Sequence, residues 1–244
     1  MAFHGRRSCS KLRDMSDRFY INGPLSVGPF SLDGPEAHHL SAVRRLRPGD
    51  AVCLFNGDGE EYVALVTAVG KRSIELDATE RRAINRELPF QLEVAAPLPK
   101  ADRAQFLVEK LTELGVTVYV PLLTERSVIV PSDGKREKLD RYVVEASKQC
   151  GRNRLMRIGE PTRWTAYAAP RENEVRLLAH PGGDVRLGCL GDVGGKAIRV
   201  GVGPEGGFTD AEIEAGSSWR KVDLGQRILR IESAAIAMVS RITL

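Results

Sequence analysis

The sequence predicts an α/β protein, a parallel sheet with helices on its faces, preceded by a small N-terminal β-barrel. Three observations carry that expectation. Short apolar stretches separated by turn signals fill the first third of the chain. From about residue 91 the pattern changes to strands alternating with helices, the arrangement that builds a parallel sheet covered on both faces. Near the end, an apolar strand at 197–202 runs into GVGPEGGF at 201–208, so strand, glycine loop and helix start follow directly.

Residues 1–17 hold Arg6, Arg7, Lys11 and Arg13 but no apolar core. A secretory signal is not expected there, and the segment reads as a disordered extension. Strands are expected at 18–21, 51–55, 62–69 and 73–76, with turn residues at 48–50, 56–59 and 70–72. This close spacing predicts a barrel over residues 18–78. A helix is expected from 35 to 46, carrying His38, His39, Arg44 and Arg45. Arg44, Arg45 and Arg47 fit either a phosphate contact or a solvated helix end. Residues 79–90, TERRAINRELPF, are charged and proline-containing and read as a linker.

A second domain is expected over 91–244. A strand at 91–98 precedes a helix at 103–114, where Leu107, Leu111 and Leu114 recur at i, i+4 and i+7 and Gly115 supplies the stop. A strand at 116–123 precedes a helix at 135–150, stopped by Gly151. Further strands are expected at 175–179, 197–202 and 221–224, and a closing helix at 231–242.

The 244 residues are 42% hydrophobic and 28% charged, as in a soluble globular protein, and the longest apolar runs are too short to span a membrane. Cys9, Cys53, Cys150 and Cys189 are scattered and the four histidines have no ligand spacing. Neither a disulfide framework nor a metal site is expected, which suits a reducing cytoplasm. The net charge of +4 is mild, but its distribution is uneven. Arg141, Lys148, Arg152, Arg154, Arg157, Arg163 and Arg171 face only Glu145 and Glu160 between 141 and 171. Such a stripe reads as a footprint for phosphate, with a solvated helix face as the alternative.

Four glycines and a proline within residues 201–207 let backbone approach a ligand with no Cβ in the way. Thr209 and Glu212 have the spacing of a capping box. Gly201, Gly203 and Gly206 also spell G-x-G-x-x-G, with Asp223 near the distance of a ribose-binding acid. The chain that remains is too short for the βα units a dinucleotide fold needs downstream. A loop that only turns a corner is the other alternative. After the last strand, LGQRILRIESAA at 224–235 brings Gly225, Arg227, Arg230, Glu232 and Ser233, then small residues. An Arg and a Glu two residues apart beside a glycine loop suit electrostatic and proton-transfer work. They also suit a surface pair at a helix start.

GPEGGF at 203–208 followed by LGQRILRIESA at 224–234 resembles the C-terminal signature of the bacterial 16S ribosomal RNA uridine-N3 methyltransferases of the SPOUT superfamily. LPKADRAQFLVEKLTELGV at 98–116, TERS at 124–127 and SKQCGRNR at 147–154 resemble further segments of that family. RFYI at 18–21 and HHLSAVRRLRPGD at 38–50 resemble its PUA-like RNA-binding barrel. The resemblance runs from Arg18 to the end, with Ser233 where the family usually has Thr.

The resemblance implies a trefoil-knotted methyltransferase domain that forms a homodimer and takes S-adenosyl-L-methionine as methyl donor, with no metal and no membrane. The implied reaction is methylation at N3 of one uridine, uracil 1498, in 16S ribosomal RNA of the small ribosomal subunit, in the cytoplasm. Three loops would hold the cofactor. The first supplies Leu178, Ala179 and His180, and the second Gly201, Gly203, Glu205, Gly206 and Gly207. The third supplies Leu224, Gly225, Ile228, Leu229 and Arg230. Glu232 is the candidate base, Arg230 the stabiliser of charge on the uracil oxygens, and Glu205 an alternative base. Arg18, Arg44, Arg45, Arg126, Arg152 and Arg154 are candidates for RNA. A SPOUT enzyme acting on another base, and an RNA-binding protein without catalysis, are the alternative functions.

Overall fold

Residues 17–33, 46–70, 73–100, 102–127, 133–183 and 195–244 are described by the computed structural model. Two units emerge among them. One runs to Arg86 and takes in Gly151–Arg154; the other comprises Glu87–Cys150 and Leu155–Leu244. The helix expected at 35–46, with Arg44 and Arg45, lies outside the described residues.

The first unit is a five-stranded sheet of β1 (Arg18–Tyr20), β2 (Gly28–Asp33), β3 (Ala51–Phe55), β4 (Glu61–Val69) and β5 (Ser73–Arg82). Their order is β1-β3-β4-β5-β2. β1 pairs parallel with β3, and the remaining pairings are antiparallel. Val52, Leu54, Tyr62, Ala64, Ile74 and Leu76 alternate into its core. Two features depart from the sequence expectation. β2 was not expected, because Gly28 and Pro29 sit inside it; it is an edge strand, where proline is tolerated. β5 continues past residue 76 to Arg82, and its charged end is held by pairing with β4 and by ion pairs. Arg81 and Arg82 lie opposite Tyr62 and Glu61, Arg81 is ion-paired to Glu60, and Arg82 to Glu80.

A buried ion cluster closes this unit. Arg18 donates from Nη1 to Glu61 at 2.7 Å and from Nη2 to Asn153 at 2.6 Å, and its guanidinium lies 4.9 Å over the Phe55 ring. Arg86 donates to the same Glu61 oxygen at 3.1 Å. Asn153 in turn accepts from the Gly59 amide at 3.1 Å, so the 151–154 segment is hydrogen-bonded into the first unit. Burial alone would raise the Glu61 carboxyl, but the hydrogen bonds from Arg18 and Arg86 outweigh it and hold the group below its ordinary value.

The second unit contains β6 (Leu92–Ala96), α1 (Asp102–Glu113), β7 (Val118–Leu123), α2 (Asp133–Cys150), β8 (Arg157–Ile158) and β9 (Thr162–Arg163). It continues with α3 (Trp164–Tyr167), β10 (Glu174–Ala179), β11 (Ala197–Val202), α4 (Asp210–Ala215), β12 (Arg220–Val222) and α5 (Ile231–Thr243). The sheet order is β12-β10-β11-β6-β7-β8, with β9 also on β7, and every pairing is parallel. Period-two alternation splits the strands between two cores. Leu92, Val94, Ile198 and Val200 join α1, α2 and α5 through residues such as Leu107, Leu111, Val143 and Met238. Ala95, Val120 and Leu178 join the aromatic cluster of Trp164, Tyr167 and Trp219. Both expected helix stops hold: Gly115 and Gly151 adopt φ of +84° and +82°, a region that disfavours other residues.

Arg199 is the charge inside the otherwise apolar β11, and it is 2% exposed. It is neutralised by Glu174 at 3.2 Å and Glu93 at 3.5 Å, and its guanidinium lies 4.1 Å over the Tyr167 ring. A buried cation is tolerated when paired in this way.

The Glu61 cluster makes the first unit acid-sensitive. A carboxyl held below its ordinary value of 4.5 stabilises the folded state above that pH and loses its contribution as pH falls through the folded value. Amide exchange of β3 and β4 should therefore accelerate on acidification below pH 4.5. Glu61→Gln should be less protected at neutral pH and flatter across the same range. Identical pH profiles for the two proteins would contradict the assignment.

Candidate active site

Parallel pairing brings three chain segments out of the sheet at one edge. Ala179 lies opposite Val202 on one side and Val222 on the other, so the loops after β10, β11 and β12 start side by side. They enclose a cavity of about 360 Å³. Ala179, His180 and Pro181 come from the first loop; Gly203, Pro204, Glu205, Gly207 and Phe208 from the second; Asp223, Leu224, Gly225, Arg227, Ile228 and Leu229 from the third. Val202, Asp210, Ile213 and Ala234 complete the lining.

Nine residues expected at a cofactor site thus line one cavity: Ala179, His180, Gly203, Glu205, Gly207, Leu224, Gly225, Ile228 and Leu229. Leu178, Gly201, Gly206 and Arg230 are not among the lining residues. Leu178 packs in the aromatic core. A Cβ on Gly201 would lie 2.9 Å from Trp164 and 3.1 Å from Leu178, so this glycine makes room for the indole. A Cβ on Gly206 would lie 3.3 Å from Arg126, whose Nη1 donates to the Gly206 carbonyl at 2.6 Å. Arg230 is the N-cap residue of α5 and is exposed.

The second loop is braced from behind. A Cβ on Gly203 would meet the Phe208 ring at 2.8 Å, and that ring lies 4.7 Å from Trp164. The capping box at Thr209 forms as expected. Glu212 does more than cap: its other oxygen accepts from the Glu125 amide at 2.9 Å, and its carbonyl accepts from the Trp164 indole at 2.6 Å. Asp223 accepts from the Gly225 amide at 2.8 Å and turns the third loop. The Asp-x-Gly spacing is a readable turn signal, although Asp223 was considered only as a ribose-binding acid.

Two buried polar atoms have no hydrogen-bond partner: Nδ1 of His180, which lines the cavity, and Oε2 of Glu232, which is not among the lining residues. Glu232, in the first turn of α5, is 5% exposed. Its nearest cation is Arg103, with Nη1 at 3.8 Å, and the same nitrogen lies 3.3 Å from Glu205. Sequence reasoning did not single out Arg103, since it lies 102 positions from Glu205, farther still from Glu232, and no local pattern marks it.

The RNA candidates fall in different settings. Arg126 is exposed beside the glycine loop. Arg18 is engaged with Glu61 and Asn153. Arg152 is 4% exposed, whereas Arg154 is exposed and lies against Gly59. The 141–171 stripe is divided between the two units, because Gly151–Arg154 belongs to the first. Among the described residues no group of His, Cys, Asp and Glu could hold a metal ion, and no helix is long and apolar enough to cross a membrane.

A parallel sheet whose loops converge on one cavity at the carboxyl ends of its strands is the arrangement of a ligand-binding α/β enzyme. Residues 86–243 match the RNA methyltransferase domain family, and residues 32–78 match the RNA methyltransferase PUA domain. The chain belongs to this family and is an RNA methyltransferase. It is 29% identical over 228 residues to Ribosomal RNA small subunit methyltransferase E of Bacillus subtilis, covering 88% of this chain and 89% of that one. The protein of the same name from Synechocystis is 30% identical over 219 residues, with coverages of 87% and 72%. The crystal structure of a Ribosomal RNA small subunit methyltransferase E from Neisseria gonorrhoeae bound to S-adenosyl methionine is similar with a TM-score of 0.84 and 29% identity. That match covers 92% of this chain and 95% of the other.

The Glu212 side chain joins the Thr209 cap to the turn at Glu125, so Glu212→Ala should destabilise the second unit by about 1–3 kcal/mol, the cost of leaving two partly buried amides unsatisfied, while its backbone carbonyl still accepts from Trp164. Urea unfolding followed by tryptophan fluorescence reads this directly, because Trp164 and Trp219 both lie in the cluster it braces. An unchanged midpoint would reduce Glu212 to a solvated cap.

Proposed function

We propose that the protein transfers a methyl group from S-adenosyl-L-methionine to N3 of one uridine, uracil 1498, in 16S ribosomal RNA of the small ribosomal subunit. The observation that carries this reading is the single cavity lined by all three expected loops. It is supported by nearly full-length similarity to small-subunit ribosomal RNA methyltransferases, one of them solved with S-adenosyl methionine.

The chemistry of the lining suits the cofactor. Ala179, Val202, Leu224, Ile228 and Leu229 offer an apolar wall for an adenine ring. Glu205, Asp210 and Asp223 offer carboxylates for amino groups and positive charge, and His180 offers an unpartnered ring nitrogen. When bound, S-adenosyl-L-methionine supplies a methyl group activated by a sulfonium.

Uridine N3 carries a proton at neutral pH and has no nucleophilic lone pair until that proton leaves. Glu232 is the group that accepts it, and its Oε2 is buried with no competing donor. Arg230, exposed at the start of the same helix, stabilises negative charge developing on the uracil oxygens. Glu205 is the alternative base. Arg126 and Arg154 are exposed cations suited to phosphate, with Arg44 and Arg45 as further candidates outside the described residues. The RNA-binding barrel over 18–78 and the methyltransferase domain over 91–244 divide recognition and chemistry between them. The same reading includes a homodimer through the methyltransferase domain, a cytoplasmic location and a knotted C-terminus.

Mass spectrometry of 16S ribosomal RNA from a strain lacking the protein tests the substrate. One uridine should lose an N3-methyl group and regain it on complementation; an unchanged RNA, or a loss at another base, would overturn this choice of substrate. Glu232→Gln should lower the single-turnover methylation rate by about 10²–10⁴ with little change in cofactor or RNA affinity. A near-wild-type rate would move the base to Glu205 or to solvent.

A further inference from the structure

One cation serves both candidate bases, Glu205 on the cavity wall and the buried Glu232. Nη1 of Arg103, in the first turn of α1, lies 3.3 Å from Oε1 of Glu205 and 3.8 Å from Oε1 of Glu232. The two partners differ in environment. The Glu205 side chain is 48% exposed and lines the cavity, whereas that of Glu232 is 7% exposed. An ion pair at an exposed carboxylate is screened by solvent, and one at a buried carboxylate is not. The buried partner therefore depends on Arg103 far more than the exposed one does.

The surroundings of Glu232 sharpen this dependence. Its Oε2 has no hydrogen-bond donor. The start of α5 favours a carboxylate through the helix dipole, and Arg230 at the N-cap is exposed. The charges on the strands that α5 covers, Arg199, Arg176, Glu93 and Glu174, lie on the opposite face of the sheet and pair with one another. Among the described residues, Arg103 is the cation that the structure pairs with Glu232.

We propose that Arg103 is a positioning residue that couples the cavity rim to the buried carboxylate, by sharing one guanidinium nitrogen between Glu205 and Glu232. Its charge orients the Glu232 carboxylate. At 3.8 Å it does so without a close hydrogen bond, which leaves the carboxylate available as an acceptor. Glu205 competes for the same nitrogen, so a positive charge entering the cavity beside Glu205 releases Arg103 toward Glu232. Cofactor binding thereby strengthens the hold on the base. This inference rests on Glu232 acting in methyl transfer, and its test separates the two ideas.

The first readout is thermal unfolding of the ligand-free protein, which involves no catalysis. Arg103→Gln leaves a buried carboxylate without its cation and should lower the melting temperature by several degrees. In a Glu232→Gln background the same change should cost much less, because no buried charge remains to be stranded. Additive shifts would overturn the Arg103–Glu232 coupling. In a Glu205→Gln background the Arg103–Glu232 coupling should grow, since the cation is no longer shared; an unchanged coupling would overturn the link to the cavity.

The second readout is single-turnover methylation with S-adenosyl-L-methionine and 16S ribosomal RNA. Arg103→Gln should slow the step about 10–100-fold without weakening cofactor binding, since the guanidinium no longer competes for Glu205, and Arg103→Lys should recover part of the rate loss by restoring the charge. In Glu232→Gln, Arg103→Gln should add almost nothing. A coupled thermal cycle with additive rate effects would uphold the ion-pair device and remove Glu232 from the reaction. Uncoupled results in both readouts would overturn the inference itself.

Discussion

The parallel register of β10, β11 and β12 is the constraint on which the site depends. Ala179 is flanked by Val202 and Val222, so the next residues of all three segments emerge at the same level. Parallel strands cannot be joined by tight turns, and the chain must travel away and return between them. Each return ends in a loop at the same edge, and the cavity is where the three loops meet. Changing the register by one residue would send the wall residues to the opposite face of the sheet.

The glycines matter through what fills the space beside them. Gly201 and Gly203 admit Trp164 and Phe208 against the backbone; Phe208 packs on Trp164, which packs at a tilt against Tyr167 and Trp219. Arg199 fixes the same cluster from the strand, paired with Glu93 and Glu174 and lying over Tyr167. Glu212 then ties the helix after the loop to the turn at Glu125. The rigid loop follows from this aromatic and ionic support, and the open side faces the cavity.

What could be read in the sequence was mostly local. The capping box of Thr209 and Glu212, the stops at Gly115 and Gly151, and the strand at 197–202 each depend on a few neighbouring residues. The three cavity loops were legible through the glycine pattern and through the family resemblance together. Contacts between distant segments were not. β2 was obscured by Pro29, acceptable only because the strand lies at an edge. The 151–154 segment reads as part of a basic stripe after a helix stop, yet Asn153 bonds Arg18 across 135 positions. Arg103 carries no local mark of its carboxylate partners, and Gly201 reads as cavity wall when its missing side chain makes room for Trp164.

The central claim is that one cavity, built by the loops after β10, β11 and β12, holds the methyl donor. A crystal structure of the full chain grown with S-adenosyl-L-methionine tests this most directly. The account predicts ligand density bounded by residues 179–181, 202–208 and 223–229, with the methyl-bearing sulfur on the side of Glu232 and Arg103. Ligand density elsewhere on the chain, or a sulfur facing away from Glu232, would contradict it.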